Sequence, residues 1–203
     1  MDAGAATLVF FVLQFVASRL LWPLAGAALH ARTLGFVTAG AVTLCWSLLR
    51  LRARGVPVIF ELGLRAYGRS QVSGVATGLL VGAALGAIGL WYAQLLERLV
   101  PGATSVGAPA QFASSLAVAV LAAPVVEELL FRGLLLGGLR RQATPLVAVV
   151  WSALLFAFVH PMPWWPLVFV LGVLCAALRL RFGSLWAAVS LHAAYNAVVV
   201  GLA

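Results

Sequence analysis

Apolar residues run in long blocks along this chain, and polar residues punctuate them. The blocks predict seven membrane-spanning helices over residues 5–29, 33–49, 71–95, 111–138, 144–160, 163–179 and 184–202. Segments of this length match a hydrocarbon core of about 30 Å at about 1.5 Å of rise per residue. The first block is interrupted by Arg19 and Pro23, which predicts a kinked or interfacial end. Between the second and third blocks lies Arg50-Leu-Arg-Ala-Arg54, then a stretch through Glu61, Arg65 and Arg69. Its amphipathic character places that stretch at the membrane surface. The fold class expected is all-α, a polytopic transmembrane helix bundle.

Composition agrees with the blocks. Of 203 residues, 64% are hydrophobic and only 9% charged, against about 25% charged in a soluble domain. The mean hydropathy is +1.11. The net charge of +8 reflects 13 basic residues, all arginine, against 5 acidic ones. Because the arginines cluster in short loops between apolar blocks, they are read as topology signals and lipid head-group contacts, not as a nucleic-acid surface. Arg50, Arg52, Arg54, Arg65, Arg69, Arg140, Arg141, Arg179 and Arg181 fall on one face, and Arg32 and Arg98 on the other. The positive-inside rule makes the first face cytoplasmic, with the N-terminus inside and the C-terminus outside. The localisation expected is integral and multi-pass, in the inner or plasma membrane if the source is bacterial. The N-terminus lacks the positive n-region of a cleaved signal peptide, so the first block is read as a retained helix.

Several features carry structural readings. Gly74, Gly78, Gly82 and Gly86 recur every fourth residue and form one smooth helical stripe. An internal helix contact is favoured for it over a dimer seam. Cys45 and Cys175 each lie inside an apolar block, which is neither a disulfide framework nor a metal signature. His30, Trp164, Trp165 and Trp186 are read as interfacial, and Phe156 as packing.

The costly residues are Glu127 and Glu128, two of only five acidic residues in the chain. An ionised carboxylate at bilayer depth costs about 2.5–3.5 kcal/mol even on the lenient insertion scale, and adjacent like charges add repulsion. Glu128 and Arg132 are spaced to pair one helical turn apart, while Glu127 points about 100° away around the helix. His192 and Asn196 are also one turn apart. Glu127 lies 16 residues before a turn centred near residue 143, and His160 lies 17 after it. In an antiparallel pair that sets them at similar depth, about 24–26 Å along the path. His192 lies about 15 Å from the turn near residue 182, somewhat shallower. The four residues Glu127, His160, His192 and Asn196 are expected to line one cytoplasm-facing cavity. Pro161 ends helical bonding just after His160.

These residues spell three motifs in order: Glu127-Glu128-Leu-Leu-Phe-Arg132 as EExxxR, Phe156-Ala-Phe-Val-His160 as FxxxH, and His192-Ala-Ala-Tyr-Asn196 as HxxxN. The chain resembles the CPBP family of intramembrane glutamic endopeptidases, the CAAX-protease and bacteriocin-processing (ABI) family, over residues 111–200. Residues 1–110 are read as N-terminal transmembrane helices without a motif, and 111–203 as the catalytic helices. The resemblance implies hydrolysis of a peptide bond by a water molecule that Glu127 activates with help from His160. It implies that His192 and Asn196 hold the oxyanion, and that Glu128 and Arg132 shape and balance the site. The partners implied are the lipid bilayer and a membrane-associated protein or peptide, including a C-terminal tail. No cofactor, metal or nucleic acid is expected. Two other readings stay open. One is a zinc-dependent version of the site, although the HExxH spacing is absent. The other is a non-catalytic scaffold, a bacteriocin-immunity protein or a proton-coupled transporter.

Overall fold

A computed structural model describes residues 28–55, 57–64, 68–101, 118–160 and 162–201. Among them every regular element is helical. The first predicted block, with Arg19 and Pro23, lies outside the described residues except for its last two. So do Arg65, Pro161 and the start of the fourth block. The long helices are α1 (Ala28–Ala53), α3 (Gly68–Leu99), α6 (Pro145–Phe158), α7 (Trp165–Phe182) and α8 (Leu185–Gly201). Shorter helical pieces are α2 (Val58–Glu61), α4 (Ala123–Glu128) and α5 (Leu136–Leu139). Wide turns with i→i+5 bonding, Val118–Ala122 and Leu129–Leu135, flank α4 and join it to α5.

Local chemistry sets the ends. Thr144 caps α6 by accepting from the Val147 amide, and Pro145 occupies the first turn, where its missing N–H costs nothing. Gly183 ends α7 at φ +65°, a left-handed conformation that a Cβ would strain. Pro124 donates no amide, so the turn ahead of it lacks one ordinary bond where the wide turn Val118–Ala122 runs. The helix before His160 has only 14 residues, about 21 Å, shorter than the 144–160 block predicted. α1 begins at Ala28, across the boundary predicted between the first two blocks.

Among the described residues, two helical stretches, Gly68–Leu99 and Met162–Phe182 (α7 with the single 3-10 turn before it), are long and apolar enough to cross a membrane. Large apolar side chains stand exposed on them and on α6, among them Leu80, Ile88, Trp91, Leu146, Trp151, Phe158 and Val170. Water would not tolerate so continuous an apolar surface.

The glycine stripe is an internal contact. α8 runs parallel to α3 and lies directly on it: a Cβ on Gly78 would strike Ser190 and the Ala187 carbonyl, one on Gly82 the Leu191 carbonyl, and one on Gly86 the Val198 side chain. Backbones that close pack α8 directly on α3 and fix α8, the helix that carries His192 and Asn196. Gly82→Leu is therefore expected to cost about 1–3 kcal/mol through overpacking. Thermal unfolding in detergent checks this, with Leu80→Ala on the exposed side of α3 as the neutral control.

The stretch after α1 is strapped to the bundle. Leu62 is buried against Gly133. The Gly63 carbonyl accepts from the Leu185 amide at 2.8 Å. Arg179 donates to the Glu61 carbonyl at 3.1 Å, and Arg141 pairs with the Glu61 carboxylate at 2.7 Å. The surface stretch expected from sequence is thus a clasp under the arginine-rich end of the helices. Glu61 joins the two turns that carry Arg141 and Arg179.

Candidate active site

Glu127 and Glu128 end α4, and the adjoining wide turn carries Arg132. Glu128 is fully buried, and its Oε1 accepts from Arg132 Nη1 at 3.0 Å. Arg132 is held on three sides. Its Nη2 donates to the Gly172 carbonyl at 2.9 Å, and its guanidinium lies 4.3 Å over the Phe156 ring. Gly172 makes this possible, because a Cβ there would press on both Ala153 and the guanidinium. The pair is thus compensated in part by bonds as well as by charge, although Glu128 Oε2 and Arg132 Nε stay buried without a partner.

His192 Nδ1 donates to the same Glu128 Oε1 at 2.9 Å. That bond fixes the ring and turns Nε2 towards Glu127, at 3.9 Å from its Oε2. His160, just beyond the end of α6, is fixed in the same way: Nδ1 donates to the Phe156 carbonyl at 2.7 Å, and Nε2 stands 3.9 Å from Glu127 Oε2. Trp165 Nε1 donates to the His160 carbonyl at 2.8 Å and holds the backbone there. Two imidazoles therefore present their Nε2 atoms to one carboxylate oxygen. A separation of 3.9 Å is too long for a direct hydrogen bond and short enough for one water to bridge.

Path lengths along the helices set Glu127 and His160 at one depth, and the two residues meet. The family resemblance assigns His192 to the oxyanion alone, and helix spacing misses that His192 joins both glutamates. Asn196 lies one turn beyond His192 on α8 and is half-buried. Phe156 does more than fill space. It is fully buried, and its ring centre lies 4.8 Å from that of His160, 5.6 Å from that of His192 and 5.1 Å from that of Phe131. It packs against both imidazoles and the guanidinium at once. The signal for Gly172 is an interior helical glycine, which costs about 1 kcal/mol and implies close approach. Phe156→Ala is expected to lose about 3–5 kcal/mol by opening a cavity. Phe156→Leu should keep the fold and slow turnover, which unfolding and rate measurements on the same preparation would separate.

The packing around the site differs between its two ends. His160 sits at the end of α6 remote from the Arg140–Arg141 turn. Towards that turn the site is closed by buried Glu128, Arg132, Leu135, Leu136 and Cys175. The His160 side chain is 27% exposed and that of Glu127 14%. The cluster therefore does not open on the arginine-rich side. Among the described residues, no group of three or more His, Cys, Asp or Glu is arranged to hold a metal ion.

Residues 109–198 match the family model described as Rce1-like, type II CAAX prenyl endopeptidase Rce1-like. The match runs from ahead of Glu127 to just past Asn196 and takes in all three motifs. It covers somewhat less than half of the chain and agrees with the CAAX-protease resemblance that the motifs carry. The family is one of membrane-embedded proteases. No curated protein and no solved structure matches the chain.

Proposed function

We propose that this Rce1-like chain is an intramembrane endopeptidase of the glutamic type, a multi-pass bundle with its N-terminus cytoplasmic and its C-terminus outside. It hydrolyses a peptide bond of a membrane-associated protein or peptide. The observation that carries this reading is the convergence of His160 Nε2 and His192 Nε2 on Glu127 Oε2, each at 3.9 Å.

Proton counting gives the roles. Both Nδ1 atoms are committed as donors, His160 to a carbonyl and His192 to Glu128. In the neutral rings both Nε2 atoms are lone pairs, so three acceptors face one water that has two protons. The trio works with one extra proton, carried on an imidazole. Glu127 then takes a proton from the water as its oxygen attacks the carbonyl carbon. The imidazolium donates to the developing oxyanion, with the Asn196 amide as a second donor, a type of contact worth about 3–4 kcal/mol elsewhere. Protons return to the leaving amine as the C–N bond breaks. Water is consumed, a carboxylate and an amine are formed, and the enzyme ends as it began. Glu128 and Arg132 do not touch the reacting atoms in this scheme; they orient His192.

The test is cleavage in membranes by the purified protein and by Glu127→Ala, with and without a strong chelator. Cleavage that needs Glu127 and survives chelation supports the reading. Loss on chelation, restored by zinc, would favour the metal-dependent version. A cellular phenotype untouched by Glu127→Ala would favour the non-catalytic scaffold.

A further inference from the structure

We infer, resting on the protease reading above, that the site is served from the arginine-poor face. Its substrate class is then a translocated polypeptide segment next to the membrane, delivered on the side opposite the cytoplasm. Two observations, charge and packing, point the same way, and a third, the aromatic residues, places the site near an interface.

The first is charge. The arginines of the 50–54, 140–141 and 179–181 turns gather at one end of the bundle, drawn together by the Glu61 bonds to Arg141 and Arg179. Among the described residues, the other end carries Arg32 and Arg98, the second beside Glu97. The positive-inside rule assigns the arginine-rich end to the cytoplasm.

The second is a gradient of exposure along the bundle. Moving away from the arginine-rich end, Arg132 and Glu128 have side chains 0% exposed, Glu127 is 14% exposed and His160 is 27% exposed, while His192, also against Glu127, stays at 3%. The packed ion pair is a floor, and the reacting atoms lie above it. A peptide arriving from the arginine-rich side would have to displace the Glu128–Arg132 pair and the leucines beneath it.

The third is the aromatic lining of the open end. Tyr92 donates to the Pro163 carbonyl at 2.6 Å and packs edge-on against Trp164. Trp165 holds the His160 carbonyl, and Trp91 is exposed close by in sequence. Tyrosine and tryptophan with a polar tip satisfied and a ring in apolar surroundings mark the depth of the membrane interface. The site therefore sits just below one interface, where water and a juxtamembrane peptide are both at hand.

Two measurements test this. In a Cys45→Ser background, Met162→Cys marks the open end and Gln142→Cys the arginine-rich end. A membrane-impermeant maleimide is expected to label Met162→Cys on intact cells and Gln142→Cys only after permeabilisation. New peptide termini that appear with the wild type and vanish with Glu127→Gln are expected to map to translocated segments. The reverse labelling pattern, or Glu127-dependent termini in cytoplasmic segments and tails, would overturn the assignment. The expected labelling with no Glu127-dependent termini at all would sink the protease reading itself, and the substrate class with it, while leaving the orientation of the bundle established.

Discussion

Glu127→Gln should fold like the wild type and lose turnover, with kcat down by about 10²–10⁴-fold, the span typical of a missing general base. The reason lies in what the carboxylate does not do. Its Oε2 is buried without a hydrogen-bond partner, and both neighbouring imidazoles stand 3.9 Å away. An amide of the same shape therefore breaks no bond on which the fold depends. It removes the carboxylate that the proposed mechanism uses to take a proton from water between the two Nε2 atoms. The measurement is a single-turnover rate beside a thermal unfolding midpoint for the same preparation. A large drop in the midpoint would mean that Glu127 is structural, and an unchanged rate would remove it from the chemistry.

Much of this division is legible in the amino-acid sequence. The Glu128–Arg132 spacing specifies a pair on one helix face, because neighbours four residues apart must meet. Equal path lengths from the turn near residue 143 set Glu127 level with His160. The direction in which the cavity opens is not legible. It depends on which end of the helices the packed side chains fill, and that is settled by Leu135, Leu136 and Cys175 from two different parts of the chain. The second bond of His192 is hidden for the same reason: spacing along α8 relates His192 to Asn196 and says nothing about a carboxylate 64 residues away. The wide turn Leu129–Leu135 is also out of reach, since Leu-Leu-Phe-Arg-Gly-Leu-Leu has no proline to mark a local change in helical bonding. The clasp at Glu61–Leu64 reads as a surface stretch because its anchors are mainly backbone carbonyls, which sequence does not distinguish.

Arg132→Met should unfold far more easily than Glu127→Gln, by about 3–5 kcal/mol, the usual penalty for leaving a buried charge without its partner. Glu128 would remain fully buried, with its Oε2 already lacking a partner and only His192 left on Oε1. Glu128→Gln strands the guanidinium in turn, although the Gly172 carbonyl and the Phe156 ring still hold part of it. Its loss is therefore expected to be smaller than that of Arg132→Met. The double variant Glu128→Gln/Arg132→Met removes both charges and should recover much of the stability. It should not recover activity, because a neutral amide in place of the Glu128 carboxylate cannot offer His192 the charged acceptor that fixes Nε2 towards Glu127. Unfolding midpoints of the four proteins, read as a double-mutant cycle, give the coupling of the pair. Rates on the same four separate folding from positioning. Additive stability losses with no recovery in the double variant would show that Glu128 and Arg132 do not act as a pair. Restored activity in it would show that His192 is oriented by something other than Glu128.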